Sequence, residues 1–312
     1  MSWYRERVTF LSSSRIGPEG ARRRARALAL VALGCGAAVG CAPPTKLADI
    51  SYDDRFGDAT SLDLFLPATP GPHPAVVLIH GGLFTRGDKE EYGAAAARLA
   101  GSGYVAATIN HRLAPGARFP AAVQDAGCAL SFLRNGATDY GIDPGRVAVV
   151  GYSSGGYLAS MLGVASEVAA LEPDCDAGAS GPPEAVATGA GLFDLVEAAG
   201  EAEVQAFLGG DLGEAPERHE LASPVSHVGA GEPPHLLVHG EIDWVVPSGQ
   251  SKRMRDVLAA EGNDVRLLSL ADPGHFLAAG ADNGGLYGGG AKDRPESWIA
   301  LADFLEETLG AP

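Results

Sequence analysis

The chain has 312 residues, of which 46% are hydrophobic and 20% charged. That length fits one large α/β domain or two small ones, and no fixed-period repeat points to a solenoid or propeller. Net charge is −16; the first 40 residues hold seven arginines and two glutamates, a local +5 that leaves −21 elsewhere, which excludes a nucleic-acid binder because phosphate contacts need cations.

In chain order, Arg22-Arg23-Arg24-Ala25-Arg26 comes first, then the small apolar stretch Ala27 to Gly40, then Cys41. A charged region, a short apolar core and a small-residue processing site form the layout of an export signal. Residues 1–40 are therefore expected to be such a signal. Ala38-Val39-Gly40-Cys41 is similar to a bacterial lipobox, in which Cys41 becomes the lipidated first residue; simple secretion is the alternative. Cys35 is a competing site with a shorter apolar core before it. The protein is thus expected to be exported, as a membrane-anchored lipoprotein or otherwise as a periplasmic or secreted protein. Membrane contact is expected only through a lipid on Cys41, since no run of 18 or more apolar residues follows it. An exported chain meets an oxidising compartment. Losing Cys35 and lipidating Cys41 leaves Cys128 and Cys175, either as a disulfide or as two buried thiols.

Residues 41–48 read as a tether. Asp49 to Pro67 reads as two short strands around a turn at Gly57-Asp58, with Leu62, Leu64 and Leu66 alternating with Asp63 and Phe65 as in a partly exposed strand. Ala75 to His80 is a continuous apolar run rich in β-branched residues, as in a parallel strand buried on both faces. Tyr104 to Asn110, Arg146 to Val150, His235 to His239 and Val265 to Leu270 repeat that signal. Helices are predicted over Glu91 to Ala100, Ala121 to Asn135, Gly155 to Val168, Pro247 to Glu261 and Pro295 to Leu309. Strands alternating with helices imply a mainly parallel sheet covered on both faces. Residues 169–184 and 200–234 break the alternation and read as loops or a small cap.

Gly151-Tyr152-Ser153-Ser154-Gly155 follows a predicted strand and opens a predicted helix. That context turns G-x-S-x-G into a tight elbow that projects the Ser153 hydroxyl above the sheet. Ser154 is the rival nucleophile, but its backbone N–H is better placed to hold an oxyanion. His80-Gly81-Gly82-Leu83 follows another strand, and its glycines let backbone N–H groups approach a developing negative oxygen. His80 reads as a loop-orienting residue rather than a base.

A serine nucleophile needs an imidazole, and the imidazole needs an acid to fix its tautomer. Asp243 lies in the loop after one buried strand and His275 in the loop after the next. Glu241 competes as the acid, while Asp272 reads as a turn residue before Pro273. His235 and His239 sit at the two ends of a strand and read as structural. No His, Cys, Asp or Glu grouping has metal-ligand spacing, so neither a metal nor another cofactor is expected.

With Asn110-His111-Arg112-Leu113-Ala114-Pro115, Phe119-Pro120-Ala121-Ala122-Val123-Gln124-Asp125 and Tyr140-Gly141-Ile142-Asp143-Pro144, these segments run in order across residues 75–280. In this the chain resembles the α/β-hydrolase superfamily, in its hormone-sensitive-lipase-like and bacterial carboxylesterase branch. The resemblance implies one α/β-hydrolase catalytic domain over 49–312, an eight-stranded and mostly parallel sheet, and a small cap or loop insertion. It implies Ser153 as nucleophile, His275 as base and Asp243 as its partner, with oxyanion donors from Gly82, Leu83 and Ser154. Leu83 stands where the family often has a third glycine, and His111 where a tyrosine is usual. Arg112 and Asp125 read as structural ties, and Asp194 and Trp244 as either pocket or packing residues.

The expected activity is that of a serine carboxylesterase working through an acyl-serine on a small-molecule ester. An exported acetyl or feruloyl esterase acting on polysaccharide and a small aminopeptidase or amidase are the enzymatic alternatives. A catalytically silent binding protein is the non-enzymatic one.

Overall fold

The computed structural model describes residues 43–271, 274–275 and 295–312. The predicted export signal, Cys35, Cys41 and Asp272-Pro273 lie outside the described residues.

The apolar runs form the sheet. Its strands are β1 (Thr45–Ser51), β2 (Ser61–Leu66), β3 (His73–Ile79), β4 (Val105–Ile109), β5 (Ile142–Tyr152), β6 (Ala185–Gly189), β7 (His235–Gly240) and β8 (Val265–Leu270). They lie in the order β1-β2-β4-β3-β5-β6-β7-β8; β2 is antiparallel to β1 and β4, and the other pairs are parallel. Both faces are covered, which is why β3 reads as continuously apolar rather than alternating. Val77 and Ile79 of β3 pack toward α2 (Ala121–Asn135) and α3 (Ser154–Val164). Val76 and Leu78 pack toward α1 (Gly93–Gly101) and α7 (Pro295–Leu309).

Three expectations change. The tether shortens, because Thr45 to Leu47 pair with β2 as part of β1. Strand β2 is buried almost throughout rather than half exposed. Asp63 tolerates that burial because Lys89 Nζ at 2.6 Å, Lys46 Nζ at 2.7 Å and the Asp49 N–H at 3.0 Å satisfy its carboxylate. The segment 200–234 contains two helices, α4 (Ala202–Leu208) and α5 (Pro216–Leu221). Helix α4 docks on the domain through Phe207, whose ring stacks on Phe84 at 4.1 Å and meets Phe119 and Tyr157 edge-on. Helix α6 (Gly249–Ala260) follows β7 and packs Met254 and Leu258 on Leu237.

Cys128 on α2 is disulfide-bonded to Cys175, across 47 residues and a Cα–Cα distance of 6.1 Å. Closing a loop of that length restricts the unfolded chain. Reduction is expected to lower the free energy of unfolding by about 3 kcal/mol. The check is urea unfolding with and without reductant, with thiols counted on the unfolded protein. An unchanged midpoint with both thiols free contradicts this.

Candidate active site

Because β3, β5, β7 and β8 are parallel, the loops leaving them emerge on one edge of the sheet. In an open α/β sheet that carboxyl edge is where ligands bind, at the point where the winding reverses. Here the chain winds from β3 to β4 in one direction, then crosses to β5 and continues the other way. The His80 loop and the Ser153 elbow flank that reversal.

Strand β5 turns into α3 within a single residue. Ser153 holds φ 54° and ψ −121°, a conformation that side chains avoid and that costs about 1–3 kcal/mol. The flanking glycines are required by close approach. A Cβ on Gly151 would overlap the Gly155 carbonyl, and one on Gly155 the Ile79 and His80 carbonyls. The Ser153 N–H donates to the Gly189 carbonyl at 2.7 Å, tying the elbow to β6.

Ser153, Asp243 and His275 come together. His275 Nε2 lies 3.0 Å from Ser153 Oγ, and His275 Nδ1 lies 2.8 Å from Asp243 Oδ2. All three residues are buried. Asp243 Oδ1 accepts from the Val245 and Val246 N–H groups at 2.8 and 2.9 Å. Burial pushes the Asp243 carboxyl up, but hydrogen bonds from His239 and His275 outweigh it and hold the group well below the usual carboxylate range. Asp243 therefore stays anionic at neutral pH. His275 then donates through Nδ1 and leaves Nε2 free to accept the Ser153 proton. Glu241, the rival acid, is exposed and not bonded to His275; its N–H pairs with the Leu270 carbonyl.

The His80 loop packs against the nucleophile: a Cβ on Gly81 would sit 3.1 Å from Ser153 Cβ. Gly82, Leu83 and Phe84 all take positive φ, at 121°, 55° and 65°. The Thr85 and Arg86 N–H groups close the turn on the Gly82 carbonyl, each at 3.1 Å. Leu83 thus adopts the left-handed conformation that a third glycine would take without strain. Buried Phe84, wedged on Phe207, holds the turn in that shape. Among the described residues, the Gly82, Leu83 and Ser154 N–H groups have no acceptor, so three unbonded donors lie on the loop and the elbow that flank the sheet's reversal.

His80 orients this loop. Its Nδ1 bonds the Gly81 carbonyl at 2.7 Å, and its ring stacks on His111 at 4.5 Å. Burial lowers the basicity of His80, and burial followed by repulsion from His80 takes His111 down to about 3. Both rings are uncharged at neutral pH.

Arg112 forms an ion pair with Asp125 at 2.6 Å and stacks on Phe56, so that segment ties the loop after β4 to α2. Asp194 pairs with Arg253 at 2.7 Å and accepts the Glu197 N–H at 2.9 Å, which makes it a loop anchor. Trp244 and Ile242, on either side of Asp243, are 78% and 63% exposed at the rim. Among the described residues no grouping of His, Cys, Asp and Glu has the arrangement to hold a metal ion.

One partner of the site was not legible in the sequence. His239, which reads as a structural strand-end residue, lies with Nε2 3.3 Å from Asp243 Oδ2. The pair is spaced i, i+4 as on a helix, but it joins a strand to the loop after it, where helical spacing predicts no contact.

A mostly parallel sheet of this order, with a serine elbow, an imidazole and a buried carboxylate on loops at one edge, defines an α/β hydrolase. Comparison places the chain more narrowly: the BD-FAE family model matches residues 62–258, and the chain belongs to that family. It is 27% identical to esterase LipC of Mycobacterium tuberculosis, over 76% of this chain and 59% of that protein. It is 28% identical to esterase LipQ of the same organism, over 61% of this chain and 46% of that protein. The chain thus spans about half the length of the curated relatives it matches. Among solved structures, a bifunctional GH43-CE of Bacteroides eggerthii superimposes with a TM-score of 0.74 at 25% identity, over 85% of this chain and 38% of that one.

Proposed function

We propose that the protein is a serine carboxylesterase. The observation that carries this is the unbroken relay from Asp243 through His275 to Ser153. Ser153 Oγ attacks the acyl carbon while His275 Nε2 takes its proton. The tetrahedral oxyanion accepts from the Gly82, Leu83 and Ser154 N–H groups. His275 then protonates the leaving alcohol, and water releases the acid from acyl-Ser153 by the same route. The names of the curated relatives, esterases LipC and LipQ, support this reading.

The test is a panel of short-chain p-nitrophenyl esters against aminoacyl anilides. Turnover of the esters alone supports the reading. Preference for the anilides reassigns the site to an aminopeptidase or amidase, and silence toward both supports a binding protein.

Gly82→Ala tests the oxyanion donors. Its methyl group would meet the Arg86 carbonyl, so the turn must open and misplace the next N–H. The expected loss is about 10²-fold to 10³-fold in kcat with little change in KM. A wild-type kcat contradicts a role for this turn.

A polysaccharide-bound ester is the second reading, favoured by exposed Trp244 and Ile242 on the rim. An indole face suits the apolar face of a sugar ring. Export, with lipidation at Cys41, is part of the proposal. The basic cluster, the apolar stretch and Cys41 support it, and so does a disulfide suited to an oxidising compartment. Globomycin-sensitive processing of the full chain would support the anchor, and processing unaffected by globomycin would point to simple secretion.

A further inference from the structure

We infer that His239 is a positioning residue for the proposed relay, a second imidazole that contacts the same Asp243 oxygen as His275. This rests on the esterase reading of the site. His239 is the penultimate residue of β7, and its ring lies between that strand, the loop carrying Asp243 and the start of α6.

The ring is bonded at both nitrogens. Nε2 lies 2.9 Å from the Val246 carbonyl, and Nδ1 lies 2.7 Å from Ser251 Oγ. A carbonyl only accepts, so Nε2 carries a hydrogen and Nδ1 accepts from the Ser251 hydroxyl. Asp243 Oδ2 lies 3.3 Å from the same Nε2. It takes the longer arm of a three-centre contact whose shorter arm goes to Val246. His239, Ser251 and Asp243 are all buried.

The bonds close a circuit. His239 fixes the Val246 carbonyl, and the Val246 N–H donates to Asp243 Oδ1. Asp243 Oδ2 lies 3.3 Å from His239 Nε2 and accepts from His275 Nδ1. The Val246 carbonyl sets which His239 nitrogen carries the hydrogen, and the Ser251 hydroxyl on α6 anchors the other nitrogen. One ring thus sets the shape of the acid loop and adds a positive dipole end to the oxygen that serves His275.

That second role has a sign. A hydrogen-bond donor on Asp243 Oδ2 spreads the negative charge that attracts a protonated His275. Without it, Asp243 favours the imidazolium more strongly and His275 holds its proton to higher pH. Among the described residues, the ionisable groups facing the pair are His239, Tyr152 of β5, whose ring is 5.3 Å from His275, and Tyr92 beside Tyr152. Burial followed by the neighbouring Tyr92 and Asp243 pushes the Tyr152 phenol far above its ordinary range, so it stays uncharged across the acidic limb.

The experiment is the pH profile of kcat/KM for wild type, His239→Phe, His239→Gln and Ser251→Ala, on whichever p-nitrophenyl ester the wild type turns over. His239→Phe is expected to move the acidic limb up by about one pH unit and to lower plateau kcat about tenfold, with KM nearly unchanged. Gln places an N–H donor near the Nε2 position, so His239→Gln is expected to restore the limb to within a few tenths of a pH unit. Ser251→Ala, which keeps the ring and its Nε2 hydrogen but removes the hydroxyl that anchors Nδ1, is expected to shift the limb partway and to keep the circuit testable if His239→Phe does not fold. An unshifted limb in folded His239→Phe or Ser251→Ala, with only thermal stability reduced, overturns the inference and leaves His239 a core hydrogen bond. Inactivity of the wild type itself overturns the esterase reading instead.

Discussion

Ser153→Ala is expected to lower ester turnover by at least about 10⁴-fold, because members of a relay that acts as a unit fail together. The protein should remain folded. Among the described residues the Ser153 side chain has one hydrogen bond, to His275, while its backbone N–H bond to Gly189 is untouched. The strain of the elbow is also unchanged, because alanine meets the same backbone geometry. The check is active-site-normalised kcat together with thermal unfolding. Full activity in the folded variant removes Ser153 from the chemistry and leaves Ser154 to be tested.

Asp243→Asn comes next in size, with an expected loss of about 10⁴-fold in kcat. Asparagine fills the same volume, and its Oδ1 still accepts the Val245 and Val246 N–H groups. Its Nδ2 then faces His275 Nδ1, donor against donor. The ring relieves this by moving its hydrogen to Nε2, the nitrogen that must accept the Ser153 proton. Binding should survive, so KM changes little. Loss of structure, seen as a lower melting temperature with a collapsed far-ultraviolet spectrum, would make Asp243 chiefly structural. Retained kcat would return attention to Glu241.

The parts of the site that lie within one strand-loop-helix unit were legible in the residues. Gly151 to Gly155 spells an elbow because each glycine answers a local clash, and the clashing carbonyls are within the elbow or on the adjacent strand. The order Ser153, Asp243, His275 was legible because parallel strands deliver successive loops to one edge. The choice between Asp243 and Glu241 was not. It depends on which carboxylate the Val245 and Val246 N–H groups capture, a turn geometry that the residue types allow for either acid.

Long-range packing was the other blind spot. Helix α4 was hidden because a seven-residue helix among glycines, prolines and glutamates carries little periodicity. Its purpose becomes visible only when Phe207 meets Phe84 beneath the His80 loop. Asp63 misled because a charge in an alternating strand ordinarily marks the solvent face. Here it marks a buried ion pair with Lys89, 26 residues away. The Cys128–Cys175 disulfide was legible by counting cysteines as one of two alternatives, and the contact between α2 and the Cys175 loop decides for it.

The most direct test is labelling of the folded protein, residues 42–312, with a fluorophosphonate probe, followed by peptide mapping. The expected result is a single phosphonylated serine at Ser153, with labelling lost in Ser153→Ala and strongly slowed in Asp243→Asn. No labelling of a demonstrably folded sample, or labelling that maps elsewhere and persists in Ser153→Ala, contradicts the proposed relay.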